Sequence, residues 1–212
     1  MERLLPALNQ ANGSFGYLTE AEIAAIESEV EGAVGSLLKA LRIAPDHNTH
    51  DTPSRVARML VRESMAGRYT QCPPLTDFPN ARDVDQLYTV GPITVRSICA
   101  HHLVPIVGDA WIGVIPGERL IGLSKFHRVA AWIMARPQIQ EEATEQLADA
   151  LEKAIEPRGL GVVVRASHLC CSWRGVRDDD SLMTTTVVRG LLKADALARG
   201  EFMATIAGMG FK

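Results

Sequence analysis

Apolar and polar positions divide this chain into a helical N-terminal part and a mixed remainder. After Thr19, apolar residues recur at Ile23, Ile26, Val30, Val34, Leu37, Leu38 and Leu41, the spacing of one helix face. Thr19 followed by Glu22 forms a capping box, so the pattern predicts a long amphipathic helix over 20–42. Residues 1–18 show little periodicity and read as a mobile arm or an oligomer contact. Asp51-Thr52-Pro53 marks a second helix start, with a capping side chain and a proline in the first turn. Val56, Met59 and Leu60 give that helix an apolar face. Residues 71–86, rich in proline, aspartate and asparagine, predict a surface loop.

Beyond this loop the period shortens. Leu87–Cys99 and Leu103–Pro116 are β-branched, partly alternating runs that predict an antiparallel pair of strands, with Cys99-Ala100-His101-His102 at the bend. Helical spacing returns over 124–135 and, after Arg136-Pro137, over 138–156. Val162–Leu169 and Leu182–Val188 read as strands, and 193–206 as a terminal helix. The order after the N-terminal helices is ββααββ. Strands and helices arrive in blocks, which predicts an α+β antiparallel sheet with helices on one face and argues against a doubly wound sheet.

Composition narrows the class. A chain of 212 residues with 47% hydrophobic content can bury a sizeable core. A net charge of −3 and a pI near 6.1 exclude a general nucleic-acid binder, and 5% aromatic content weakens base stacking. No apolar run is long enough for a membrane span, and the start does not resemble a signal peptide. Four cysteines are too few for a disulfide scaffold, which points to a reducing cytoplasm.

The chemistry gathers in two places. Cys99 and His102 lie three apart at a strand end, and His168-Leu169-Cys170 follows on a later strand, where residues two apart share a face. Cys99, His102 and Cys170 would make a three-ligand zinc site with a fourth position open to water. On spacing alone, zinc and a coincidence of core residues stand level, because a lone Cys-x-x-His is common and buried cysteine is an ordinary core residue. Cys171 would point away as a core thiol, and Cys72 in its loop is not a ligand. The second group is cationic. Ser124, Lys125 and Arg128 open a predicted helix, and Arg174 and Arg177 flank Gly175. A helix N-terminus with lysine and arginine suits an anion, although each cation taken singly reads as part of a solvated face. Glu141, after Gln140, could accept two hydrogen bonds from a guanine edge, or simply stabilise a helix N-terminus.

Together these blocks resemble GTP cyclohydrolase I. The resemblance starts at Asp51-Thr52-Pro53-Ser54-Arg55-Val56-Ala57 and runs to the C-terminus. It is carried by Cys99–His102 with Leu103-Val104-Pro105, Gly122-Leu123-Ser124-Lys125, Arg136-Pro137-Gln138-Ile139-Gln140-Glu141, His168-Leu169-Cys170, Arg174-Gly175-Val176-Arg177-Asp178 and Thr184-Thr185-Thr186. It implies the tunnelling fold, in which subunits join their sheets into a barrel. Residues 51–212 would be the catalytic domain, and 1–50 an N-terminal arm and helix. Cys99, His102 and Cys170 would bind zinc (Zn2+), which would acidify a water for attack at C8 of the guanine. His101 and His168 would be catalytic proton carriers, at N7 and the ribose ring oxygen. Glu141, helped by Gln140, would fix the guanine edge. Ser124, Lys125, Arg128 and Arg174 would hold the triphosphate, with Arg55 and Arg58 as lesser additions. The implied products are formate and 7,8-dihydroneopterin triphosphate, and the implied active form is a homodecamer with sites between subunits. The product would feed tetrahydrofolate synthesis or, alternatively, 7-deazaguanine synthesis.

The chain departs from the family pattern at Ala100, where glutamate is usual, and at Cys170-Cys171-Ser172-Trp173, where Cys171 is a competing thiol. The first fifty residues match poorly. Two rival readings are weaker. A zinc nucleobase deaminase needs His-x-Glu and Pro-Cys-x-x-Cys, and neither is present. A non-catalytic zinc-binding homologue would have little use for His101, His168, Glu141 and the phosphate set together.

Overall fold

The computed structural model describes residues 10–210. In chain order its elements are α1 (Glu20–Ala40), α2 (Thr52–Arg58), a π-helical stretch (Met59–Ser64), α3 (Ala66–Tyr69), β1 (Asp77–Pro79), β2 (Tyr88–Cys99), β3 (Pro105–Ile115), β4 (Arg119–Ile121), α4 (Leu123–Met134), β5 (Pro137–Gln138), α5 (Gln140–Ile155), β6 (Gly159–His168), α6 (Leu169–Ser172), β7 (Met183–Gly190), α7 (Leu191–Ala194) and α8 (Ala196–Gly208). The α+β class and the ββααββ order of the main elements are those expected, but the helices do not keep to one face, because α8 packs on the side opposite α4 and α5.

The capping box at Thr19 is formed in both directions. Its hydroxyl accepts from the Glu22 N–H, and the Glu22 carboxylate accepts from the Thr19 N–H at 2.7 Å. α1 lies against α2 and the π-helical stretch, where Arg62 bridges Glu20 and Glu27 at 2.6 Å each. Yet no residue of α1 is buried, and Leu37 and Leu41 of its apolar stripe stand in solvent.

Of the expected mobile arm, residues 1–9 lie outside the described residues. Residues 10–16 are anchored instead. Arg68 donates to the carbonyls of Gln10 and Gly13, Arg136 donates to the Asn12 carbonyl at 3.2 Å, and Ser14 is buried. The surface loop 71–86 also holds a short strand, because β1 pairs antiparallel with β4.

The main sheet runs β5-β2-β3-β6-β7, antiparallel except for the short parallel β2–β5 pair. Alternation along its strands sends Ile112, Val162 and Val164 to one face, where α4 and α5 cover them with Phe126, Ile133, Leu147 and Leu151. Val163 and Trp111 point to the other face and pack under Phe202 and Ile206 of α8. Phe202 approaches so closely that a Cβ at Gly113 or Gly161 would come within 2.5 or 2.6 Å of its ring. These glycines make room for the helix. β7 is the last strand of the sheet, and Arg189 fastens it to α5 through Glu145, Asp149 and Glu152.

Candidate active site

Two strand ends and two helix starts meet at one end of the sheet. β2 stops at Cys99 and β3 starts at Pro105, and the hairpin between them closes when the Leu103 N–H donates to the Cys99 carbonyl at 2.9 Å. Leu103 takes φ of 52°, a left-handed conformation that costs a leucine roughly 1–2 kcal/mol. The tight turn holds Cys99 in the interior while His101 and His102 protrude into solvent. Ile106 of β3 pairs with His168 at the end of β6, so the next turn, α6, brings Cys170 beside Cys99. The parallel pairing of Cys99 with Gln138 sets the start of α5 against the same place.

The ligand atoms of Cys99, His102 and Cys170 lie within 4.8 Å of one another. Sγ of Cys99 is 3.9 Å from Nδ1 of His101 and 3.9 Å from Nδ1 of His102. Ile106, Ala166 and Val104 form an apolar floor under the two thiols. The route to this meeting differs from the one expected. Cys170 shares no strand face with His168, because β6 ends at His168 and Cys170 sits in a helical turn. The same turn puts Cys171 in solvent, so it is not a core thiol. Burial first, then Cys99 and Cys171, push the Cys170 thiol up to about 11. Two neighbouring thiols and an imidazole thus share an apolar floor. A divalent cation there would favour the thiolate forms, and this donor set is one that suits zinc.

His168 is half-buried at the rim. Burial lowers its pKa below the usual imidazole value, partly offset by the Glu141 carboxylate. Glu141 is exposed on the first turn of α5. Gln140 is turned inward and is 3% exposed. Its Oε1 lies 2.8 Å from His168 Nε2, and its Nε2 donates to the carbonyls of Val164 and Met183 and to the Thr185 hydroxyl. Arg174 reaches the cluster from the loop after α6, donating to His102 Nε2 at 3.0 Å. One end of the sheet therefore gathers Cys99, His101, His102, Gln140, Glu141, His168, Cys170 and Arg174.

Ser124, Lys125 and Arg128 are elsewhere. They lie on the first turns of α4, whose Phe126 ring packs on Tyr88 at 6.3 Å, edge to face. It is the far end of α4, Met134, that lies against Gln138, the partner of Cys99, so Lys125 starts roughly 15 Å of helix away from the cluster's side of the sheet within one chain.

A family model described as GTP cyclohydrolase I matches residues 30–207. The chain belongs to the GTP cyclohydrolase I family. The "GTP cyclohydrolase 1" of Mycobacterium tuberculosis is 44% identical over 183 residues, covering 85% of this chain and 90% of that protein. The "GTP cyclohydrolase 1" of Mycobacteroides abscessus is 44% identical over 180 residues, covering 84% of this chain and 88% of its own length. A solved archaeosine synthase QueF-like structure in the apo form matches half of this chain and 92% of its own, at 13% identity and a TM-score of 0.40. The protein is accordingly an enzyme with GTP cyclohydrolase I activity, a hydrolase acting on GTP. Among the described residues no helix is long and apolar enough to cross a membrane.

Against that activity, two side chains with no place in the sequence reading of the site are Thr144 and Thr185, which join behind Gln140 at 2.7 Å. The Thr184-Thr185-Thr186 run is visible in the sequence, but only the sheet shows that Thr185 alone turns inward among exposed neighbours.

Proposed function

We propose that Cys99, His102 and Cys170 hold zinc and that GTP is opened beside them into formate and 7,8-dihydroneopterin triphosphate. The observation that carries this reading is the three-ligand cluster with His168, Glu141 and Arg174 around it. When bound, zinc lowers the pKa of water toward neutrality and so makes a nucleophile available at neutral pH. Everything else falls to side chains. The Glu141 carboxylate accepts from the N1–H and N2–H of guanine and so fixes which ring atom faces the cluster. His101 and His168 move protons at N7 and at the ribose ring oxygen; each imidazole can donate to one atom after accepting from another. Arg174 binds the triphosphate near the cluster, while Ser124, Lys125 and Arg128 at the α4 N-terminus offer backbone N–H groups and two cations. The net reaction adds one water to GTP and releases C8 as formate.

The separation of Lys125 from Cys99 supports an oligomer in which one chain's α4 completes its neighbour's cluster. Two further features favour assembly: β7 exposes an unpaired outer edge, and α1 presents an apolar stripe with no buried residue. A homodecamer in the cytoplasm, feeding tetrahydrofolate synthesis, is the form this reading takes. Incubating the zinc-loaded protein with GTP, with formate release and pterin absorbance as the two signals, tests it. Full zinc occupancy without either product would overturn the assignment of the cluster.

A further inference from the structure

His168 cannot choose freely which of its nitrogens faces a substrate, because its neighbour has no choice. Three acceptors surround Nε2 of Gln140: the Val164 carbonyl at 3.0 Å, the Met183 carbonyl at 3.1 Å and the Thr185 hydroxyl oxygen at 3.1 Å. A carbonyl accepts and never donates, so this end of the side chain is the amide nitrogen and the other end is Oε1. Oε1 has only a lone pair to offer the His168 Nε2 atom, 2.8 Å away. The hydrogen on that ring must sit on Nε2.

The same accounting runs one step deeper. Thr144 Oγ1 donates to the Gln140 backbone carbonyl at 2.7 Å, which commits its only hydrogen. The 2.7 Å contact between the two threonine hydroxyls must then be a donation from Thr185 to Thr144. Thr185 Oγ1 is left as an acceptor, so it can share one of the two Gln140 Nε2 hydrogens with the neighbouring carbonyls. Donation thus runs one way, from His168 to Gln140, Thr185, Thr144 and finally the Gln140 carbonyl. Gln140 and Thr144 are 3% and 0% exposed, so water does not compete for these bonds.

We infer that Gln140 is a positioning residue: it holds His168 as the Nε2–H tautomer, leaves Nδ1 as the nitrogen that exchanges a proton with the substrate, and is itself locked by Thr185 and Thr144. This rests on the reading of His168 as a proton carrier. The arrangement is the hydrogen-bonded orienting partner that imidazoles in reactive sites use to fix ring direction. Misplacing such a group by about 1 Å costs on the order of a hundredfold in rate.

The test compares Gln140→Leu, Thr185→Val and Thr185→Ser as zinc-loaded enzymes, with kcat, KM for GTP and zinc per chain measured on each. Gln140→Leu is expected to lose roughly 10- to 100-fold in kcat, with KM within about twofold of the parent and zinc content intact. Thr185→Val is expected to lose several-fold in kcat, and Thr185→Ser, which keeps the hydroxyl, to recover it. A rise in KM at unchanged kcat would make Gln140 a substrate contact and overturn the inference. Zinc loss in parallel with kcat would overturn it too, since the network would then serve the metal cluster. If Gln140→Leu does not fold, the threonine pair decides alone: equal rates for the valine and serine variants refute the relay. His168→Ala separates the two levels. Retained turnover there removes the role of His168 itself, whereas lost turnover beside an unimpaired Gln140→Leu removes only the positioning role.

Discussion

The middle of the sheet and its cysteine end are built from the same strands and obey opposite rules. In the middle, Ile112, Val162, Val163 and Val164 are fully buried, and each side chain is explained by what it packs against. At the end, His101, His102 and Arg174 are exposed, Leu103 sits in a costly backbone conformation, and two thiols gather beside an imidazole. Packing accounts for almost none of these choices. The contrast teaches where to look in such a fold: the informative residues are those whose placement stability does not require.

That contrast can be broken at either end. The largest effect is expected from Cys170→Ala, which should abolish turnover and zinc binding together; a variant that still carries one zinc per chain by elemental analysis refutes the ligand assignment. Next, His168→Ala should lower kcat by about 10²- to 10⁴-fold, the range for a lost general acid–base, with zinc content and melting temperature close to the parent. A large fall in melting temperature would mean that the rim is structural after all. Lys125→Ala should raise KM for GTP roughly 10- to 100-fold, the equivalent of one charge-assisted hydrogen bond, while leaving chemical denaturation unchanged. The smallest effect belongs to the core. Ile112→Val should cost about 0.5–1.5 kcal/mol in urea unfolding with kcat and KM unaltered. A kinetic change from this one buried methylene would show that the two regions are coupled.

Much of the fold was legible in the sequence because it follows from local rules. The capping box at Thr19 and the apolar spacing to Leu41 mark α1 to within two residues of its observed end. Strand alternation marks β2 and β3, with the histidine pair at their bend. The candidate site was legible as a set of residue types, less so as a geometry. Two-residue spacing suggested a shared strand face for His168 and Cys170, but strand pairing ends at His168 opposite Ile106, and the chain turns helical at once. Nothing local signals that Gln140 points inward, since its partners Val164, Met183 and Thr185 arrive from distant strands. The gap between Lys125 and Cys99 is equally invisible along a sequence, because it depends on which end of the sheet each helix starts from. The anchored residues 10–16 were missed for the same reason: Arg68 and Arg136 hold them from far along the chain.

β7 has a consequence beyond closing the sheet. Arg189 ties it to three carboxylates of α5, and Thr185 on the same strand touches the side chain that steadies His168. Its outer side is a sheet edge to which a neighbouring strand can add. A strand docked there would extend the sheet and reach the helix bearing Gln140 and Glu141 only through β7. In the assembly proposed above, dilution would lower activity per chain while each subunit is still folded.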